Sequence, residues 1–144
     1  MIKIKNSQRK IKINLSKIKG VSQVMLNELG YGDFDLGIWF TTNKTIRNYN
    51  KKYRNKDKAT DILSFAYHEL KPGEKIIPKS EEDKNLGDLI ISLEYIKKER
   101  LTILLAHGIT HLLGYDHETD REFYIMQRVE KRLLKAAKML QPEK

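Results

Sequence analysis

Three of the four histidines in this sequence lie within one short segment, residues 107–117. His107 and His111 are four positions apart in a stretch that is predicted to be helical, so their rings would project from one face of the helix, one turn apart. Gly114 can turn the chain back at the helix end because glycine tolerates positive φ. That turn would bring His117 round to complete three nitrogen donors. Such a set predicts one Zn²⁺ ion with three histidine ligands and water in the fourth position, as in catalytic zinc sites.

The spacing of these residues is that of the metzincin signature, H-E-x-x-H-x-x-G-x-x-H. Buried histidines that bind no metal are the alternative, and three histidines with a glycine at the turn argue against it. Gly108, however, stands where a metzincin protease has its general-base glutamate. The signature therefore predicts a metzincin-like site but argues against peptide hydrolysis by the usual route.

A zinc ion held by three neutral imidazoles lowers the pKa of its water towards about 7 and so supplies hydroxide at neutral pH. If the bond attacked is a phosphodiester, the charge that develops on the phosphate needs a cationic partner. The planar guanidinium of an arginine matches phosphate oxygens. Arg54, in a basic segment before a predicted strand, is the candidate, and Arg54 and His111 are the predicted catalytic residues. On the residues alone, an ordinary surface arginine is the favoured alternative for Arg54.

Two carboxylates adjoin the third histidine in the sequence. Asp116 could orient an imidazole from behind through a hydrogen bond, or it could be a turn residue that bonds its own backbone, and these alternatives are even. Glu118 could carry a proton, although a solvated carboxylate at a helix start is the favoured alternative.

The histidine segment needs a scaffold, and the hydrophobic pattern predicts alternating strands and helices. Alternation at Ile2 and Ile4, and again over residues 11–15, favours one or two short strands. The next predicted elements are a helix over 16–29, a strand over 33–42, a helix over 43–53 capped by Asn43, and strands over 59–66 and 86–93. The histidine helix follows over about 94–113. A last helix begins with Thr119 and Glu122 as its capping box, and its packing stripe consists of Phe123, Met126, Val129, Leu133 and Ala137. Residues 68–85 are predicted to be an exposed excursion.

These elements predict an α+β fold in a single domain over residues 1–144. A small mixed sheet of about four strands would pack with helices, and the apolar histidine helix would be central. If the strands that follow Arg54 and precede the histidine helix are neighbours in the sheet, Arg54 could reach the metal site from across a cleft.

Composition narrows the class of protein. Hydrophobic residues make up 40% of the chain and charged residues 33%, which is typical of a polar, soluble globule. The absence of cysteine excludes disulfides and thiolate zinc sites and agrees with a reducing compartment. The chain has no apolar run near the ~20 residues that span a bilayer and no apolar leader at its start. We therefore expect a cytoplasmic protein without a membrane partner.

Positive charge is concentrated in the first part of the chain. Residues 1–60 contain 14 Lys and Arg against 4 Asp and Glu, whereas residues 61–144 contain 14 against 15. The densest cluster, which is predicted to bind RNA, consists of Lys51, Lys52, Arg54, Lys56 and Lys58. Such a cluster suits a polyanion because phosphate binding releases counterions. A solubilising surface is an equal alternative.

Four blocks in this order resemble the YbeY family of metal-dependent endoribonucleases, the rRNA maturation factors. They are Asn50–Arg54, Thr60–Phe65, Leu86–Ser92 and His107–His117, within a match that runs from about Phe34 to Met126. The resemblance implies a single zinc on the three histidines, a functional role for Arg54 beside a positively charged cleft, and cleavage of single-stranded RNA. It also implies processing of the 3′ end of small-subunit rRNA, ribosome quality control, and the ribosomal small subunit and its proteins as partners.

The sequence departs from the family pattern in two places. Ala66 replaces the proline that commonly follows Ser-Phe, and the connection from Asp88 to His107 looks shorter than in typical bacterial members. The first change is expected to alter the loop after the strand. The second is expected to trim the helix before the site, which would affect the shape of the groove and partner docking more than metal binding.

Three functions remain open at this point. The leading hypothesis is a zinc-dependent endoribonuclease in rRNA maturation. A ribosome- or RNA-binding assembly factor with a structural metal is the alternative, and a metzincin-like metalloprotease is the third.

Overall fold

In the computed structural model of the chain, which describes residues 1–97 and 100–140, four strands form one sheet and four helices pack around it. The elements in chain order are β1 (Ile2–Asn6), α1 (Leu15–Leu29), β2 (Asp35–Thr41), α2 (Asn43–Arg54), β3 (Ile62–Ala66), β4 (Asn85–Ser92), α3 (Leu101–Leu112) and α4 (Asp120–Leu140). The predicted α+β fold with a small mixed sheet is confirmed. None of the helices in the described part of the chain combines the length and apolar character needed to cross a bilayer.

The strands lie in the order β1-β2-β4-β3. β1, β2 and β4 are parallel, whereas β3 runs antiparallel to β4 and forms one edge of the sheet. The parallel neighbours β1 and β2 are joined through α1, as parallel pairing requires a crossover. Because β3 pairs with β4, the strand that follows Arg54 is a neighbour of the strand that precedes the histidine helix.

One face of the sheet carries the main core. Side chains alternate between the two faces of a strand, and on this face β2 and β4 present Leu36, Ile38, Phe40, Leu89 and Ile91, all nearly fully buried. α1 and α3 cover this face, and α4 packs against both helices. The opposite face is covered only in part, by α2, whose Ile46 packs against Leu63 and Ile90.

The histidine helix α3 is central, as predicted, and most of its side chains are buried. It begins at Leu101, not near residue 94 as predicted. Residues 94–97 form turns, because a carboxylate oxygen of Glu94 accepts the backbone N–H of Asn43 at 2.7 Å and holds the chain beside α2. Residues 98 and 99, which the prediction also placed in this helix, lie outside the described residues.

Of the one or two short strands expected near the start of the chain, one forms, β1, and the segment 11–14 is not a strand. Residues 11–14 are irregular because the buried side chain of Gln8 bonds both backbone groups of Ile11: its Nε2 donates to the carbonyl at 2.8 Å, and its Oε1 accepts the N–H at 3.0 Å. A strand pairing is thereby replaced by side-chain hydrogen bonds. Asn14 then caps α1 by accepting the N–H of Lys17 at 3.1 Å.

Two further local predictions are corrected. The N-cap of α2 is Thr42, whose hydroxyl accepts the N–H of Thr45, whereas the side chain of Asn43 accepts a hydrogen bond from Ser92 at 2.8 Å. On α4, Phe123 is 54% exposed, although Met126, Leu133 and Ala137 are buried as predicted. The Thr119 cap of α4 is confirmed by its 3.1 Å bond from the N–H of Glu122.

Candidate metal centre

The three clustered histidines converge on one point. His107 and His111 lie on the last part of α3, and His117 returns to them after the turn that ends the helix. One ring nitrogen from each histidine lies within 4.8 Å of the other two. The ring centroids are 4.6 Å apart for His107 and His111, 5.3 Å for His111 and His117, and 5.6 Å for His107 and His117. The convergence predicted from the spacing is confirmed.

The turn that brings His117 back depends on Gly114, for two reasons. Its φ is +92°, in the left-handed region that costs other residues energy. A Cβ at this position would also collide with the backbone oxygen of Leu70 in the excursion before β4. The N–H of Gly114 donates to the carbonyl of His111 at 3.0 Å and closes the last turn of α3. A glycine is therefore needed at this position for the third imidazole to reach the other two.

Glu130 on α4 supports the first histidine from behind. Its Oε2 lies 3.1 Å from Nδ1 of His107, and both side chains are largely shielded from solvent. A carboxylate in this position accepts the Nδ1 proton, which leaves Nε2 with its lone pair for a metal. Sequence reasoning missed Glu130. The signal was there, because Met126, Glu130, Leu133 and Ala137 share the apolar stripe of α4, where a carboxylate needs a partner.

Electrostatics keep His111 neutral. Burial lowers its pKa most, and the neighbouring His107 and His117 lower it further; a hydrogen bond with the backbone of Tyr115 and the charge of Asp116 act in the opposite sense. The net direction is downward, so the imidazole is uncharged at neutral pH. An uncharged imidazole is the form that coordinates a metal.

The aspartate before His117 makes a turn contact. Asp116 Oδ1 accepts the backbone N–H of His117 at 2.8 Å, which fixes the local chain direction at the third histidine. Among the described hydrogen bonds, the carboxylate that bonds a ring of the triad is that of Glu130. A direct orienting role for Asp116 stays a prediction. Glu118 is exposed beside the site.

The donor set fits one transition-metal ion. Three imidazoles with no carboxylate among them suit a zinc-like ion, since Mg²⁺ and Ca²⁺ prefer oxygen ligands. Nitrogens that share one zinc lie about 3.4 Å apart, as follows from Zn–N bonds of roughly 2.0–2.1 Å and tetrahedral angles. The three histidines could therefore hold one metal ion after small ring movements. The fourth histidine, His68, bonds the carbonyl of Asp83 at 2.7 Å and is not a member of the set.

Arg54 borders the same groove as the histidines. It is the last residue of α2. Its Nη2 donates to the carbonyl of Ser64 on the edge strand β3 at 2.9 Å. Its guanidinium lies 4.8 Å from the centre of the Phe65 ring. A groove of about 310 Å³ runs between β3 and the triad, lined by Arg54, Ile62, Ser64 and the three histidines, among others. The structure thus brings together the two parts that the sequence analysis placed across a cleft.

The predicted RNA-binding lysines form an exposed rim next to Arg54. Lys51 and Lys52 lie in the last turn of α2, and Lys56 and Lys58 follow it, and all four are exposed. Asn55 adopts a left-handed conformation with φ of 57° to end the helix. The buried Asn50 side chain donates to the carbonyl of Lys58 at 2.9 Å, which ties this basic loop to α2.

The position of Gly108 leaves little room for a side chain, because α3 lies close to the sheet. A Cβ at this position would come within 2.6 Å of Cδ1 of Ile62 and 2.9 Å of Cδ2 of Leu89. A glutamate in the place used by metzincin proteases would therefore point into the packed layer between α3 and the sheet, not into the groove. Close packing of α3 on the sheet therefore accounts for the absence of a general-base glutamate at residue 108.

Known proteins resemble this chain over most of its length. The family model described as Endoribonuclease YbeY matches residues 3–138. A human protein named Endoribonuclease YbeY is 38% identical, over 91% of this chain and 84% of its own length. A protein of the same name from Desulforamulus reducens is 37% identical, over 91% and 93% of the two chains, and one from Listeria welshimeri is 43% identical over 71% and 72%.

The fold also has a solved counterpart. The solution structure of a protein from Thermotoga maritima superposes with a TM-score of 0.53, at 17% sequence identity, over 98% of this chain and 94% of the other. At this level of identity the likeness concerns the fold alone.

Proposed function

The chain belongs to the YbeY family of endoribonucleases, and from this premise we propose that its histidine groove cleaves phosphodiester bonds in single-stranded RNA. The observation that carries the proposal is the meeting of three imidazoles and one guanidinium in a single groove. One side of this groove can hold a metal, and the other side presents a fixed positive charge to a phosphate.

We propose zinc as the metal, held by His107, His111 and His117. When bound there, zinc would supply Lewis acidity and a nucleophile at neutral pH. The chain's own residues prepare the site: burial keeps His111 uncharged, and Glu130 fixes the tautomer of His107. The turn at Gly114 brings the ring of His117 to the other two imidazoles.

Arg54 would bind the phosphate whose bond is broken. Its contacts with the carbonyls of Tyr53 and Ser64 hold the guanidinium beside β3 and use two of the five N–H groups that an arginine has. The other N–H groups can bind phosphate oxygens as a fork. Because the guanidinium is tied to the backbone of the edge strand, it needs little reorganisation to stabilise developing negative charge.

The neighbouring lysines would hold the rest of the strand. Lys51, Lys52, Lys56 and Lys58 are exposed, flank Arg54 in the chain and would bind phosphates near the cleaved bond. Such contacts give affinity without reading the base sequence. They agree with an enzyme that selects its site by RNA structure or by a partner.

The substrate and setting follow from the family resemblance and the charge. We propose the 3′ end of small-subunit rRNA as the substrate, with the ribosomal small subunit and its proteins as partners in maturation and quality control. The cytoplasm, a reducing compartment that suits a chain without cysteine, is the proposed location. Residues 1–144 would act as one catalytic domain.

The test combines metal content with RNA cleavage. Purified protein should contain about one zinc per chain and cleave a single-stranded RNA, with an intact duplex of the same sequence as control. His111→Ala should lose both zinc and cleavage. Arg54→Ala should keep zinc but lose at least about 100-fold in cleavage rate, the range found when one charge-stabilising group is removed.

Arg128→Ala is the matched control, because Arg128 is an exposed arginine on α4. It should retain zinc and cleavage. Equal cleavage by wild type and His111→Ala would point to a contaminating nuclease and to a protein that only binds RNA. Retained RNA binding with no zinc-dependent cleavage in wild type would favour the assembly factor with a structural metal.

A further inference from the structure

Four aromatic rings form a connected cluster on the open face of the sheet. They belong to Trp39 on β2, Tyr49 and Tyr53 on α2, and Phe65 on β3. Successive rings lie 5.4, 5.9 and 5.4 Å apart between centroids. None of the four is fully buried, and Tyr53 is 49% exposed. We call these four residues the ring cluster. It lines a groove of about 600 Å³ on the face opposite α1 and α3.

Cations surround the ring cluster. The Nζ atom of Lys5 lies 4.9 Å from the centre of the Trp39 ring, and that of Lys52 lies 5.1 Å from the Tyr53 ring. Arg54 lies over Phe65 at 4.8 Å. Partly exposed aromatic rings with mobile lysine and arginine side chains over them can bind single-stranded nucleic acid, once bases displace the cations from the rings and phosphates bind the cations.

A carboxylate also lies on this face of the sheet. Asp88 is exposed on β4, between Gly37 and Phe65 in the sheet register. It repels a phosphate and can accept an N–H from the edge of a base. The second carboxylate, Asp35, is paired with Lys3 at 3.6 Å and with the amino terminus at 3.0 Å. Bases should therefore face the ring cluster, and the sugar-phosphate backbone should pass outside it, by Lys5 and Lys52.

The ring cluster and the metal centre lie on opposite sides of one edge strand. Phe65 projects to the open face of the sheet, whereas its neighbour Ser64 lines the histidine groove. Arg54 contacts both residues, since its guanidinium lies over the Phe65 ring and donates to the carbonyl of Ser64. A nucleic-acid strand that crosses the ring cluster would therefore reach the three histidines by passing Arg54 at the sheet edge.

We propose that the ring cluster is a stacking subsite for bases of the single-stranded RNA that flanks the cleaved bond. The identity of the polymer rests on the proposed function, and the subsite itself rests on the rings and the cations. An acidic peptide would satisfy Lys5 and Lys52 but would leave the ring faces without stacking partners. A nucleotide offers a phosphate to the two lysines and a base to the rings.

Trp39 allows a direct test because it is the only tryptophan in the chain. The protein as purified is titrated with a short 2′-O-methyl oligonucleotide, which is single-stranded and resists cleavage by the protein and by any contaminating ribonuclease. Stacking in the ring cluster should quench Trp39 fluorescence in a saturable manner, and the affinity should fall steeply with salt. A duplex and poly-glutamate, which offer charge without free bases, should cause little quenching.

Matched variants locate the binding site. Tyr53→Leu removes a half-exposed ring from the cluster, and Tyr124→Leu removes a ring that is 61% exposed on α4. Tyr53→Leu should weaken binding roughly tenfold, as loss of one stacked base does, whereas Tyr124→Leu should have no effect. Lys5→Gln should lower the salt slope by about 0.7, the value of one phosphate contact on a single strand, and the exposed Lys19→Gln on α1 should not.

The outcomes separate this inference from the proposed function. Fluorescence quenching that is lost in Tyr53→Leu, in a protein that shows no zinc-dependent cleavage, would overturn the proposed function alone. Zinc-dependent cleavage without quenching, or equal affinities for Tyr53→Leu and Tyr124→Leu, would overturn the stacking subsite. Equal quenching by poly-glutamate, or a wild-type dimer that Tyr53→Leu dissociates, would assign this face to an acidic peptide or to a second copy and would also overturn it.

Discussion

Glu130 of α4 and His107 of α3 are joined across two helices, with Oε2 and Nδ1 separated by 3.1 Å. The histidine lies in the metal groove, and the glutamate lies behind it on the stripe that packs α4 against the rest of the protein. The orientation of the His107 ring thereby depends on the position of the last helix. A change in the position of α4 would change the orientation of the first ligand.

Glu130→Ala is expected to lower zinc affinity by about 10- to 100-fold, the range for loss of a group that orients a metal-bound histidine. Glu130→Gln should lose less, because its amide oxygen can still accept the Nδ1 proton. The measurement is competition with a chromophoric chelator. Glu28→Gln, which alters the Glu28–Arg132 pair between α1 and α4, is the control and should bind zinc as wild type does. Equal affinities for Glu130→Ala and wild type would show that the ring is oriented by other contacts.

Gly108→Ala is expected to destabilise the protein even though alanine favours a helix. Overpacking costs about 1–3 kcal/mol, and the gain in helix propensity offsets about 1 kcal/mol of it. Because the closest atom to the added Cβ is Cδ1 of Ile62, at 2.6 Å, the variant Ile62→Val removes that atom. Denaturant unfolding of both single variants and the double variant should therefore show favourable coupling. Additive effects would mean that α3 shifts away from the sheet instead.

The convergence of the three histidines was predictable because every residue it needs is local. Two rings at helical spacing, a glycine at the turn and a third ring are all determined by backbone geometry within one segment. The approach of Arg54 to the histidine groove followed from the order of elements only on the assumption that β3 and β4 are neighbours. The apolar stripe of α4 indicates that Glu130 needs a partner, but local spacing does not identify that partner as His107, which is 23 residues away.

The start of α3 was predicted too early for a similar reason. Residues 94–97 have a pattern compatible with a helix, but Glu94 bonds the first residue of α2, which is 51 positions away in the chain. Likewise, the alternating apolar residues at 11–15 indicated a possible strand, but hydrogen bonds from the Gln8 side chain hold residue 11 in an irregular segment. A tertiary hydrogen bond at residue 94 and local side-chain hydrogen bonds at residue 11 outweighed the apolar pattern.

Gly114→Ala is expected to lose both stability and zinc. The left-handed backbone alone costs alanine about 1–2 kcal/mol, and the collision with the Leu70 carbonyl adds to that cost. Gly30→Ala is a matched control: φ is +84°, but no described atom lies within 4 Å of the added Cβ. Gly30→Ala should lose only the backbone part and bind zinc normally. If the two variants lose equal stability and both bind zinc normally, the contact at Leu70 does not position His117.

Glu94→Gln is expected to lower the free energy of unfolding at neutral pH and to have less effect in acid. The N–H of Asn43, first, and Lys10, second, hold the pKa of Glu94 below its ordinary value. A lowered folded-state pKa means that the carboxylate stabilises the protein above its unfolded-state pKa, and that this contribution is lost as the pH falls through the folded-state pKa. Urea unfolding of wild type and variant at neutral pH and near pH 3 measures the difference. Glu82→Gln, exposed in the loop before β4, is the control and should show no such pH dependence. A difference between wild type and Glu94→Gln that stays constant with pH would show that the amide keeps the Asn43 bond and that packing, not charge, accounts for the loss.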